Sequence, residues 1–258
     1  MKMIQSRIRF FRFLLIDYLG KVVLAEPNFR MNRSHLLVIS ALIIIYPSLT
    51  SAQQLNLIGR ANIGIGFDYI SQDFKGLTTF YSPGGGMGLE AGLEGEIQND
   101  LYWYGTLGFT YNLNFHYEEI NGQTTKTAFS WNKIIFTGGV NKYFDIRNKY
   151  IANFYGGGGL MVAIPGTLRR TINSTYQGRI GYKPNLGLLM HGGATLTITD
   201  NFLLRPEIRY RYINFKAESF TRGDVSSLES GLKKARGTGL DISVTIVKTI
   251  KGGSRSRR

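Results

Sequence analysis

The chain has 258 residues and no cysteine, which excludes a disulfide framework and any cysteine-ligated metal centre. It carries 43% hydrophobic and 13% aromatic residues, 32 glycines and a net charge of +14. A basic balance of this size can mark a nucleic-acid binder, but here the Lys and Arg residues are scattered along the chain rather than gathered on one stripe. No nucleic-acid partner is expected, and attraction to anionic lipid headgroups is the better reading.

Residues 1–30, MKMIQSRIRFFRFLLIDYLGKVVLAEPNFR, do not read as part of the product, since their apolar run is broken by Asp17 and Lys21. The next stretch has the three parts of a secretory signal: Arg33 in a short basic segment, the apolar run Leu36 to Tyr46, and the small-residue site Thr50-Ser51-Ala52. We therefore expect residues 1–30 to be an over-extended start, residues 31–52 a signal peptide cleaved after Ala52, and Met31 the true initiator. The segment through Ala52 holds seven of the 31 basic and two of the 17 acidic residues, so the exported chain carries +9.

From residue 53 to 247 the sequence alternates apolar and polar residues with a period of two, the signature of strands with one apolar face. Leu55 to Tyr69 places Leu57, Ile63, Ile65 and Phe67 on one face against Asn56, Arg60, Asn62 and Asp68 on the other. Gly86 to Ile97 alternates Met87, Leu89 and Leu93 with Glu90, Glu94 and Glu96. Leu101 to Tyr117, LYWYGTLGFTYNLNFHY, is the purest case and is longer than the roughly 3 to 10 residues of most globular strands. Such a length suits a tilted membrane-spanning strand, which needs about 9 to 11 residues in hydrocarbon alone.

Further strands are predicted at Phe129–Phe144, Tyr150–Ile164, Asn185–Thr199, Phe202–Tyr212 and Thr238–Val247, making eight. Glycines 156 to 159 let a small barrel bend and leave lumen space for larger neighbours. Pro206, which cannot donate to a ladder, marks an irregularity in its strand. The connections alternate long and short: Ser71–Pro83, Glu118–Thr127, Pro165–Pro184 and Asn214–Arg236 are long and polar, whereas Gln98–Asp100, Asp145–Lys149 and Asp200–Asn201 are tight. Short periplasmic turns, long extracellular loops and an even strand number predict an all-β, eight-stranded antiparallel up-and-down transmembrane β-barrel. Trp103, Phe144, Tyr150 and Phe202 near the short turns, and Tyr69, Phe115, Tyr117, Tyr210 and Tyr212 near the long ones, fit interfacial girdles.

The signal, the eight amphipathic strands and the penultimate strand LLRPEIRYRY resemble the small outer-membrane β-barrel family of Gram-negative bacteria, the OmpA/OmpX-like or "porin family" barrel domain. The resemblance implies an outer-membrane location, assembly by the barrel assembly machinery, contact with outer-membrane lipid and lipopolysaccharide, and a monomer. The chain departs from the family at its end: a basic tail, residues 248–258, follows the last strand where the family usually has a terminal aromatic.

Two candidate sites emerge. Arg60, Lys133, Arg205, Arg209 and Arg211 should meet Asp68, Glu90, Glu94, Glu96, Glu207 and Asp241 in the lumen, because an eight-stranded barrel is only just wide enough for its own side chains and unpaired buried charge is costly. In the last long loop, Arg222-Gly223-Asp224 resembles the integrin-binding tripeptide of adhesins and is a candidate contact for a host or surface ligand. No cofactor or metal is expected. His116 and His191 sit in no nucleophile motif, Glu118 and Glu119 lack a third fixed ligand, and neither glycine run has the strand-to-helix context of a nucleotide loop. The expected function is therefore non-enzymatic, a structural or surface-interaction role carried by the loops. A narrow channel is the second reading and a lipid-modifying enzyme the third.

Overall fold

The computed structural model describes residues 54–251, apart from 69, 75, 76, 121, 122, 147–150, 174, 200 and 229. The leader, the cleavage site and residues 252–258 of the basic tail lie outside the described residues, whereas residues 248–251, expected to belong to that tail, continue the last strand.

Eight strands form the barrel: β1 (Leu55–Gly66), β4 (Gly86–Gln98), β5 (Leu101–Ile120), β6 (Gln123–Asp145), β7 (Ile151–Pro165), β10 (Asn185–Thr199), β11 (Phe202–Tyr212) and β14 (Gly239–Lys251). Each pairs antiparallel with the next, and β14 returns to β1 with Ile63 opposite Ile242. No barrel edge is left open, so every barrel strand has a partner on both sides.

Side-chain chemistry decides which face points out. Along β11 the burial alternates residue by residue: Arg205, Glu207, Arg209 and Arg211 are buried, while Pro206, Ile208, Tyr210 and Tyr212 are exposed. Ile63, Met87, Leu89, Met190 and Ile242 are each more than 60% exposed on the outer wall. This is the inverse of a soluble barrel. Phe202 to Tyr212 spans about 33 Å along the strand, or about 25 Å at a tilt near 40°, the height of a lipid-facing band. Charges inside and aliphatics outside make this a membrane-spanning wall, since only hydrocarbon accepts such a surface without cost.

Local rules set the details. Gln98 pairs with Leu101 across Asn99 and Asp100, whose φ values of 37° and 64° give the left-handed two-residue turn that Asn and Asp tolerate. At Pro206 the β10–β11 register passes from Gly193 opposite Glu207 to Leu196 opposite Leu204 without pairing between, the lapse that a missing amide imposes. Trp103 is 7% exposed although it belongs to the outer face, because its indole lies over Gly95.

The long connections are not irregular loops, and here the structure corrects the sequence reading. Ser71–Pro83 contains most of a hairpin, β2 (Ile70–Phe74) and β3 (Leu77–Tyr81), and Glu118–Thr127 is the tip of the β5–β6 hairpin. Pro165–Pro184 folds as β8 (Leu168–Ile172) and β9 (Thr175–Tyr182). Asn214–Arg236 holds β12 (Asn214–Phe220), a 3₁₀ turn, the one-turn helix α1 (Ser230–Lys233) and β13 (Lys234–Arg236). β8 pairs with the upper part of β6, β9 with β8, β12 with β9 and β13 with β12. The wall thus continues past the lipid-facing band. Its inner face buries Phe129, Trp131, Leu168, Ile180, Tyr182 and Phe215 in one apolar core.

Candidate functional site

The lumen is filled in layers. At the short-turn end, Glu94 from β4 is fully buried and receives the Tyr143 hydroxyl, Asn141 at 3.1 Å, Asn56 at 3.2 Å and Arg205 at 2.8 Å. The Arg205 guanidinium lies over the rings of Tyr143 and Tyr155, 5.0 and 5.5 Å from their centroids. The two aromatic faces and the carboxylate offset the burial of this planar cation, although its Nε finds no hydrogen-bond partner.

The middle layer joins six strands. Arg60 of β1 contacts Glu90 of β4 at 2.7 Å and also Glu207 of β11. Arg209 contacts Glu90 and stands 4.0 Å from Glu207. Two carboxylates therefore meet two guanidiniums, and Tyr155 at 2.7 Å, Ser243 at 2.8 Å and Thr106 at 3.2 Å supply neutral donors to the same carboxylates. Beside this layer His191 Nε2 lies 2.6 Å from Asn141 Oδ1, and Gly157 leaves them room, since a Cβ there would sit 2.2 Å from that oxygen.

The outer layer holds the predicted Lys133, Arg211 and Asp241, but the segment they fasten was not visible in the sequence. Residues 81–84 turn into the barrel mouth and are buried. Three successive carbonyls are held by side chains of three different strands: Ser82 by Asn112 of β5 at 2.6 Å, Pro83 by Lys133 of β6 at 2.8 Å, and Gly84 by Arg211 of β11 at 2.8 Å. Arg211 also contacts Asp241 at 2.6 Å. The segment acts as a stopper beneath the apolar core.

Of the predicted lumen residues, the structure brings together Arg60, Glu90, Glu94, Arg205, Glu207, Arg209, Arg211 and Asp241 in ion pairs. Three depart from the expectation. Asp68 lies past the end of β1 at the exposed rim and pairs with Arg236 at 3.5 Å, so it is no lumen residue. Glu96 is half-buried near the short-turn end, with no ion pair among the described residues. Lys133 is in the lumen but meets a backbone carbonyl and the Trp131 ring face at 4.7 Å rather than a carboxylate.

Arg222, Gly223 and Asp224 are exposed where β12 ends. Gly223 has φ of 150°, and the Asp224 carbonyl accepts from the Ser227 amide and hydroxyl at 3.0 and 2.6 Å. The side chain of His116 lies outside the described residues. Among the described residues no group of three acidic or histidine side chains could hold a metal, and no helix is long and apolar enough to cross a membrane.

The fold is that of a small membrane-spanning β-barrel. No family profile matches the chain, and no curated protein sequence does. Solved structures similar to it include the outer-membrane protein OprG of Pseudomonas aeruginosa, 13% identical over 78% of this chain and 97% of that one, with a TM-score of 0.45. The N-terminal β-barrel domain of P. aeruginosa OprF is 10% identical over 77% and 98%, with a TM-score of 0.41. Neisserial surface protein A is 14% identical over 75% and 96%, with a TM-score of 0.39.

Proposed function

We propose that this barrel is a non-enzymatic outer-membrane protein, exported through a signal cleaved after Ala52, whose structural or surface-interaction role resides in its extracellular strands. One observation carries this reading. The lumen is occupied by paired charges and the 82–84 stopper, while the wall rises past the lipid band as a sheet with its own apolar core. Substance is invested in the platform, not in a path. The long-loop end faces the cell exterior, as in other barrels with short periplasmic turns. The closed ring supports a monomer.

The test pairs two measurements on the same protein. Cells displaying the full chain are compared, for binding to abiotic and host-matrix surfaces, with cells whose residues 168–182 are replaced by a short turn. Boiling-dependent gel mobility checks that the barrel persists. Loss of binding with an intact barrel, and no steady conductance in planar bilayers, is the expected result. Unchanged binding together with large stable channels would replace this reading by the narrow-channel one.

A further inference from the structure

Three lysines stand side by side on the outer face where the strands leave the lipid band. Lys183 directly follows β9, and its amide donates to the Lys216 carbonyl at 3.0 Å. Lys216 on β12 is in register with Lys234 on β13. All three side chains are exposed, while their neighbours Tyr182, Phe215, Ala217 and Ala235 turn into the apolar core. Adjacent strands lie about 4.8 Å apart, so three ammonium groups are rooted across about 10 Å of sheet.

Like charges directly opposite one another on neighbouring strands are destabilising. Little on the protein offsets them. Glu218 stands 3.8 Å from Lys183 with both groups more than half exposed, a pair worth little, and Arg236 is engaged with Asp68. Lys216 and Lys234 have no carboxylate within ion-pair distance among the described residues.

Depth identifies what would neutralise the row. Lys183 precedes lipid-facing Leu186 by three residues, and Lys216 follows lipid-facing Tyr212 by four. At about 3.3 Å per residue along a tilted strand, the row sits about 8 to 10 Å beyond the apolar band. The polar layer on each side of a bilayer is about 5 to 8 Å thick, and lysine stems reach back along apolar surface to keep their ammonium at that level.

We propose that Lys183, Lys216 and Lys234 form a site for the phosphate groups of an anionic lipid headgroup in the surrounding leaflet. The site rests on the membrane-spanning reading and goes beyond a general attraction to anionic lipid by assigning the three residues that hold the headgroup. Three adjacent cations, one just past the end of β9 and one each on β12 and β13, fix a phosphate-bearing headgroup more firmly than scattered lysines, and the headgroup removes their mutual repulsion.

The test uses the full chain in phosphatidylcholine nanodiscs containing phosphatidylglycerol or phosphorylated lipid A, with retained lipid counted by native mass spectrometry after release. Wild type should retain the anionic lipid over phosphatidylcholine. The triple variant K183Q/K216Q/K234Q should lose that preference by on the order of tenfold to a hundredfold, and the triple Lys→Arg variant should keep it. Retention should also weaken as ionic strength rises. Equal retention by wild type and the Gln variant would overturn the site. Binding of inorganic pyrophosphate in detergent that needs the same lysines, without lipid retention, would overturn the lipid assignment in favour of a soluble phosphate. A wild type that does not enter the disc at all would overturn the membrane reading itself, and the site with it.

Discussion

The ammonium of Lys133 donates to the carbonyl oxygen of Pro83, 50 residues away in the chain, at 2.8 Å inside the barrel mouth. Asn112 and Arg211 hold the carbonyls on either side, so the stopper is fastened from three directions by groups that cannot find water. Replacing Lys133 with Met keeps the stem but leaves the Pro83 oxygen without its donor, a cost of about 1–3 kcal/mol local to the stopper. Limited proteolysis of the protein in vesicles should then cut near Ser82 to Gly85 faster than in wild type, with barrel mobility unchanged. Identical digestion would mean that the lysine does not fasten the segment.

Glu90 is the hinge of the middle layer, because Arg60 on the neighbouring strand β1 and Arg209 on β11 both contact it. A Glu90→Gln change keeps the shape and removes the charge, leaving two buried guanidiniums dependent on Glu207. Breaking a buried pair from one side costs about 3–5 kcal/mol. The urea midpoint for unfolding from lipid vesicles should fall accordingly. Glu96→Gln, at a half-buried carboxylate without an ion pair among the described residues, should change the unfolding free energy by less than about 0.5 kcal/mol.

Face assignment was legible because a period of two leaves no ambiguity once one face carries Arg205, Glu207, Arg209 and Arg211 and the other Pro206, Ile208, Tyr210 and Tyr212. Partner choice was only half legible. Arg60 meets Glu90 as its direct neighbour on β4, whereas Glu207 reaches it over the intervening strand β14, and that match depends on strand stagger. The outer strands were hidden because Leu168 and Ile180 alternate with Arg169, Arg170 and Arg179, so their segments read as polar loop. The stopper had no signal at all. Its ligands are backbone carbonyls, and Ser82-Pro83-Gly84 looks like any turn.

Val244 sits near the middle of the lipid-facing residues of β14 and is 47% exposed. An arginine there faces hydrocarbon and should cost about 2–4 kcal/mol in folding into a bilayer, with much less effect in detergent. Comparing the two media separates a lipid-facing wall from a merely exposed one. Equal stability of Val244→Arg and wild type in vesicles would contradict the membrane assignment.

Tyr81 and Tyr182 lie in the core above the lipid band, Tyr182 packing 4.9 Å from the Trp131 ring and Tyr81 6.5 Å from it. Burial pushes both phenols above their ordinary value, and Tyr182 adds to the rise at Tyr81. A raised phenol favours the neutral folded form. Its contribution is therefore complete below the unfolded value of about 10 and is lost as pH rises past it. The core should loosen above about pH 10 while the barrel beneath persists, since its closed ring of backbone pairing does not depend on the phenols and its arginines stay charged there. The chain has two tryptophans, so Trp103→Phe leaves Trp131 as the sole reporter of this core. Its emission should shift to the red in alkaline solution before the boiling-dependent gel shift disappears. Simultaneous loss of both would show that core and barrel unfold as one unit.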